Sequence, residues 1–310
     1  MILRKPSYTI IEQGDGIEGI KKQIELAGRT CYHSADKTTD TSADGFVERM
    51  VSSGHYAMLE HGTVYLMMDW DTTNINEKVA SIKYQNNKYS HVNYVQSDTN
   101  KLTAYVTTNY RVLVENGWLE DLKYLSKPTE HHEKRITVKF ETDRGVANEA
   151  VRHRVMSFAQ ESSRFCNYSK DRFNNEIKIA KPKWVSELNQ IPSVDEVTYK
   201  GIFAEFLNYK NNRDEESKKH LYEVIYYWLM ANEMAEFFYF KMLDCGMKPE
   251  DARAVLPLDL NTEIVITGFV KDWKHFFDLR ADNTTGKAHP DMNLIAKPLK
   301  EEFQKRGLIK

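Results

Sequence analysis

The chain has 310 residues, with 43 Lys and Arg against 45 Asp and Glu, a formal net charge of −2. That balance excludes a global field for nucleic acid or an anionic membrane surface, so any basic site must be local. No apolar run reaches the roughly 18 residues of a membrane-spanning helix. Met1–Pro6 carries no leader-like core, and the three cysteines lack metal-ligand spacing, so a cytoplasmic chain with reduced thiols is expected.

In chain order, Ile17, Ile20, Ile24 and Leu26 recur at helical spacing and predict a helix over Gly16–Ala27. A second helix is predicted from Gly45 to Ser53, with Gly54 as its stop. Val64–Met68 reads as a buried strand, whereas Ile136–Glu141 alternates apolar and polar residues like a half-buried one. The stretch between them is polar and rich in Asn, Thr, Lys and Tyr. Within it Ala104–Tyr110 predicts a strand and Val112–Asn116 the helix that follows. Asp143 can cap a helix with Val146, Ala147, Ala150 and Val151 on its apolar face and Arg152-His153-Arg154 at its end.

A second polar, basic stretch runs from Lys170 to Lys183. The longest helix is expected from about Glu215 to Cys245, with Leu221, Val224, Ile225, Trp228 and Leu229 on one face and Gly246 as its stop. Pro249, Glu250 and Asp251 suit the first turn of another. Glu263–Thr267 reads as a strand, and Trp273, Phe276, Phe277 and Arg280 follow at helical spacing. His289-Pro290-Asp291 opens a last helix, which Pro298 should kink. Helices and strands mix without regular βαβ alternation, so the expected class is α+β, with a small sheet.

Chemistry concentrates in Arg152–Phe165, where three arginines, a histidine, three serines, a Gln and a Glu fall within fourteen residues. Planar guanidinium donors suit bidentate capture of phosphate, at about 1.5–3 kcal/mol per charge-assisted bond. Serine hydroxyls and turn backbone can read a base edge or a phosphate. Composition alone also permits a solvated basic helix end. Against that, the interleaved Val151, Val155, Met156 and Phe158 predict a part-buried face whose arginines need an anion. Cys166 is the thiol next to the motif and reads as a small buried residue.

This segment resembles the signature of flavin-dependent thymidylate synthases, R-H-R followed by seven residues and S. Here Arg152-His153-Arg154 precedes Ser162, with Arg164 two places on. Other segments match in order. Ala27–Cys31 is similar to the family's early A-R-x-S stretch, and His55–His61 to its H-x-[ST]-x-x-E-H. Ala252–Pro257 looks like A-R-x-x-L-P, and Trp273–Arg280 contains H-F-x-x-L-R. Each is weak alone: His55 would be a packing histidine, and Arg253 and Arg280 helix-end cations. Their joint order favours the family over a nucleotide- or RNA-binding module, which the balanced charge also disfavours. Relative to compact members, about 69–135 is an insertion within one domain covering 1–310.

The resemblance implies reductive methylation of dUMP to dTMP. The carbon donor would be 5,10-methylenetetrahydrofolate and the hydride carrier FAD reduced by NADPH, in a homotetramer with sites at subunit contacts. Carried over by position, it implies FAD contacts from Ala57, Glu60, Arg152, His153, Arg154, Lys271 and His275. It implies dUMP contacts from Glu149, Arg152, Gln160, Glu161, Ser162, Ser163, Arg164, Arg253 and Arg280, with Arg164 and Arg253 on the phosphate. The catalytic assignments are Arg280, which would stabilise charge developing on the pyrimidine, together with Ser162 and His55. No metal is implied. The chain departs from the pattern at Ala57, which lacks a hydroxyl, and at Gln160, where Glu is common. Phe165 replaces a Tyr, Phe269 and Lys271 stand where compact members place Asn and Arg, and Lys287 lies near a family His.

Overall fold

The computed structural model describes residues 1–71, 81–96, 101–170, 173–186 and 216–310. Its strands are β1 (Ile2–Arg4), β2 (Ser7–Ile11), β3 (Thr63–Asp71), β4 (His91–Gln96), β5 (Lys101–Asn109), β6 (Arg135–Asp143), β7 (Ser157–Gln160), β8 (Lys178–Ala180) and β9 (Asn261–Phe269). They form an antiparallel four-stranded sheet, β2-β6-β9-β7, an antiparallel three-stranded sheet, β3-β5-β4, and a parallel pair, β1-β8. The principal helices are α1 (Gly16–Tyr32), α2 (Ser42–Ser52), α3 (Tyr110–Asn116), α4 (Arg144–Ala150), α5 (Glu216–Asp244), α6 (Pro249–Ala252), α7 (Val270–Arg280) and α8 (Pro290–Lys305). This is the mixed, non-alternating arrangement expected of an α+β chain, with three small sheets instead of one.

The four-stranded sheet buries Val138, Phe140, Ile264 and Ile266 against Trp273, Phe276 and Phe277 of α7 and Ile295, Leu299 and Phe303 of α8. A second core joins α1 and α2 to β3 and β5 through Ile20, Ile24, Phe46, Leu66 and Val106. Ala27 of α1 also packs on Ala159 and Val265, so this helix is wedged between the two sheets. Its closeness to α2 depends on Gly28: a Cβ there would lie 2.3 Å from the Phe46 ring. A third core beneath α5 gathers Ile179, Ile225, Leu229, Tyr239 and Leu260. No helix among the described residues is long and apolar enough to cross a membrane.

Several elements differ from their sequence expectation. The first helix runs on to Tyr32 and ends where His33 takes a left-handed conformation, φ 46°. The second begins at Ser42 and stops at Ser52. Within the predicted Val64–Met68 strand, Val64, Leu66 and Met68 are buried while Met67 is exposed, so it is half-buried rather than buried. β6 is half-buried as expected at Lys139 and Glu141, but Thr137 on the same face is buried because the 3-10 turn Tyr56–His61 lies over that end. There His61 Nδ1 meets Thr267 Oγ1 at 2.9 Å, and Thr267 meets Thr137 at 2.8 Å. The third helix starts at Tyr110, two residues before its predicted start. Helix α5 buries Ile225 and Leu229, but Val224 faces outward; Glu215 and the Leu221 side chain lie outside the described residues. Helix α8 continues through Pro298.

Candidate active site

Asp143 accepts a hydrogen bond from Val146 N at 2.6 Å and caps α4, fixing where that short helix begins. The helix ends at Ala150, so Arg152-His153-Arg154 lies in the turn beyond it, not on the helix. The turn is closed by Val155 at φ 80°. A β-branched residue in that region stores about 1–3 kcal/mol of strain, which points to a turn held for a purpose beyond folding.

His153 is the buried member of the triplet. Its ring packs 5.0 Å from Phe276 and 6.2 Å from His275, and its Nδ1–H donates to Ala150 O at 2.9 Å. Burial, supported by the Arg280 and His275 charges, holds its pKa below the usual imidazole range against that hydrogen bond. The neutral ring therefore carries its lone pair on Nε2, which is buried and has no partner among the described residues. Beside it Arg280 Nη1 donates to Glu149 Oε2 at 2.9 Å and Nη2 to Glu149 O at 3.4 Å, while its buried Nε also lacks a partner among the described residues. An orphan acceptor and an orphan donor in one cluster suit a ligand that offers both, such as a flavin or uracil ring. Arg152 and Arg154 are exposed, and their side chains make no hydrogen bond or ion pair among the described residues, which leaves two cations for an anionic group. The part-buried basic face expected from the sequence does not form within the chain. Val151 and Val155 are 39% and 45% exposed, and only Met156 and Phe158 turn inward.

The stretch after β7 builds a second group. Ser162 N donates to Cys31 O at 3.0 Å, which pins the cradle to the end of α1 and leaves the Ser162 hydroxyl without a partner among the described residues. Arg253 Nη1 donates to Ser163 Oγ at 3.2 Å, and Arg164 Nε to Glu250 Oε2 at 2.8 Å. Gln160 Nε2 reaches Thr262 Oγ1 at 3.5 Å. Glu161 turns the other way, into a cavity lined by His33, Tyr168, Asn261 and Glu263. Burial and then the Glu263 charge push its pKa up to about 7.

A third group surrounds His55, which is exposed with its Nδ1 3.5 Å from the Tyr32 hydroxyl. The Tyr32 ring lies 5.6 Å from Phe165, so this aromatic pair joins the His55 segment to the cradle. Ala57 is exposed, and Glu60 pairs with Arg111 while its carbonyl accepts from Arg135. Lys271 sits with its ammonium 5.2 Å from the Phe269 ring centroid. No hydrogen bond or ion pair among the described residues links the Glu149–His153–Arg280 cluster to the Ser163–Arg164–Arg253 cluster.

Sequence reasoning missed Tyr32, Glu250, Arg135 and the nearness of Cys31. The last makes Cys166, fully buried, only one of two cysteines beside the motif. Tyr32 was within reach of a longer reading of α1, but Glu250 carries no signal apart from its place in a first turn.

A family model described as thymidylate synthase complementing protein matches residues 70–306. The chain is 28% identical over 171 residues to a probable flavin-dependent thymidylate synthase of Paramecium bursaria Chlorella virus 1, covering 55% of this chain and 66% of the relative. It is 27% identical over 165 residues to the flavin-dependent thymidylate synthase of Synechocystis sp., covering 53% of this chain and 65% of the relative. It thus spans slightly less than two thirds of those two relatives. The Corynebacterium aurimucosum flavin-dependent thymidylate synthase aligns over 292 residues at 23% identity, 92% of this chain and 76% of the relative. Among solved structures, a UMP/dUMP methylase, PolB, of Streptomyces cacaoi bound with 5-Br dUMP is similar over 98% of this chain and 93% of its own, at 14% identity and a TM-score of 0.41. With the family model covering more than half of its length, the chain belongs to the thymidylate synthase complementing protein family.

Proposed function

We propose that the chain is a flavin-dependent thymidylate synthase that methylates dUMP to dTMP with 5,10-methylenetetrahydrofolate and NADPH. The observation that carries this reading is the pair of orphaned buried polar atoms, His153 Nε2 and Arg280 Nε, on the two segments that match the family's motifs. In this reading Arg152, His153, Arg154, Lys271 and His275 hold FAD, which supplies hydride chemistry when bound. Arg280 orients the uracil and stabilises negative charge on it, and Glu149 fixes the Arg280 guanidinium plane. Ser162 and Ser163 offer hydroxyls to the nucleotide, and Arg164 and Arg253 its phosphate clamp.

The reading includes self-association. Helix α5 exposes Val224, Tyr227, Met234 and Phe238, each 42% or more accessible, at steps of three, seven and four residues. That is the a/d spacing of a helix made to pack on another, and a continuous apolar stripe is an interaction surface. The separation of the Arg280 and Arg253 clusters supports a homotetramer in which different subunits complete each site.

Visible absorption of the purified protein, followed by anaerobic NADPH with and without dUMP, tests the proposal. Flavin bands that bleach and respond to dUMP are expected. A colourless protein that FAD cannot reconstitute would overturn it.

A further inference from the structure

Two arginines converge on Glu250 beside the nucleotide cradle. Arg164 Nε donates to Glu250 Oε2 at 2.8 Å, Arg253 Nε donates to the Glu250 carbonyl at 3.0 Å, and Arg253 Nη1 continues to Ser163 Oγ at 3.2 Å. The Arg164 hydrogen bond and charge, followed by the Lys248 and Arg253 charges, hold the Glu250 carboxyl below the usual carboxylate range. The pair is open to solvent, with the Arg164 side chain 59% and that of Glu250 35% exposed. Exposed ion pairs contribute little to folding, so stability does not account for a carboxylate at this place. The contact joins the cradle to the first turn of α6 across 86 residues of sequence.

We propose that Glu250 is an internal stand-in for the nucleotide's phosphate, which sets how tightly the cradle holds a nucleoside 5′-monophosphate. The inference rests on the reading above, in which Arg164 and Arg253 clamp that phosphate. With no nucleotide bound, the carboxylate keeps the Arg164 guanidinium from scattering into solvent. On binding, a phosphate dianion, with more charge and more acceptor oxygens, takes both arginines and displaces it. A nucleoside lacks the group that can win this exchange. The displaced carboxylate then faces the phosphate and weakens its hold, which favours release of the product nucleotide. Glu250 therefore lowers affinity for nucleoside 5′-monophosphates while leaving binding of the base and sugar untouched.

Calorimetric titration of the full-length protein with dUMP and, separately, deoxyuridine tests this in wild type, Glu250→Gln and Glu250→Asp. Loss of an exposed competing pair corresponds to roughly a two- to fivefold lower Kd for dUMP in Glu250→Gln. Deoxyuridine should be unaffected, and Glu250→Asp should return dUMP affinity towards wild type. If wild type binds dUMP and Glu250→Gln binds it equally or more weakly, the stand-in role is wrong while the functional reading survives. If wild type binds no dUMP, the functional reading itself falls. Inorganic phosphate titrated alone should bind Glu250→Gln more tightly than wild type by a similar factor, and equal binding would also overturn the inference.

Discussion

Glu149 and Arg280, 131 residues apart in sequence, meet in a two-point contact: Nη1 on the carboxylate at 2.9 Å and Nη2 on the carbonyl of the same residue at 3.4 Å. Because one hydrogen bond ends on backbone, the contact ties Arg280 to the α4 terminus itself and presents its orphaned Nε at a fixed angle. Arg280→Ala should lower kcat for dTMP formation by about 10²–10³. Flavin absorbance should be retained and stability should fall by no more than about 1 kcal/mol. Unchanged turnover would remove Arg280 from the chemistry.

Ser162→Ala leaves intact the backbone hydrogen bond that seats the cradle on Cys31. The variant should unfold within about 0.5 kcal/mol of wild type while KM for dUMP rises roughly tenfold with the lost hydrogen bond. A large fall in melting temperature with KM unchanged would make Ser162 structural.

Glu161 sets a pH dependence. Its folded pKa, about 7, lies above the ordinary carboxyl value of 4.5, so the native state binds the extra proton between those values. Its stabilising contribution is complete below pH 4.5 and is lost as pH rises through 7, amounting to about 3 kcal/mol across the window. His61 acts in the opposite sense. Burial lowers its pKa to about 3, so its contribution is present above pH 6.5 and fades as pH falls. Where the two windows overlap their slopes oppose, and wild type alone would look flat. Urea unfolding of Glu161→Gln against wild type isolates the carboxyl: the variant should gain relative stability between pH 5 and pH 8. A difference independent of pH would show that Glu161 is not protonated in the fold.

Phe238→Glu places a charge in the exposed stripe of α5, where a partner helix would have to bury it. Light scattering should show a shift from tetramer to smaller species, with dTMP formation lost in parallel. A variant that assembles and turns over normally would place the subunit contact elsewhere.

Much of the architecture was legible because it rests on local patterns. Asp143, Gly246 and the spacing of Trp273, Phe276 and Phe277 mark their elements by capping, backbone freedom and periodicity. What was hidden depends on contacts between distant segments. The alternation in β6 suggested one wet face, but the turn carrying His61, whose Nδ1 reaches Thr267 across 206 residues, covers its Thr137 end. For the site, the ordered motifs led to Arg280 and Arg253, because residue type and order are visible in a sequence. Direction is not: Glu161 and Ser162 are neighbours, yet a strand end sends one side chain into a buried cavity and leaves the other's hydroxyl without a partner among the described residues.

The four-stranded sheet also has a consequence for biosynthesis. Its order, β2-β6-β9-β7, draws partners from residue 7 to residue 269, and β6, at its centre, cannot be flanked on both sides until β9 exists. A ribosome must therefore emit the polypeptide through Arg280 before the motif turn, the Arg280 helix and the His55 segment can come together. Such non-local closure is slow, and a nascent chain stalled before β9 would present the unpaired edge of β6 to its neighbours, which makes this protein a natural client for chaperones that shield unfinished sheets.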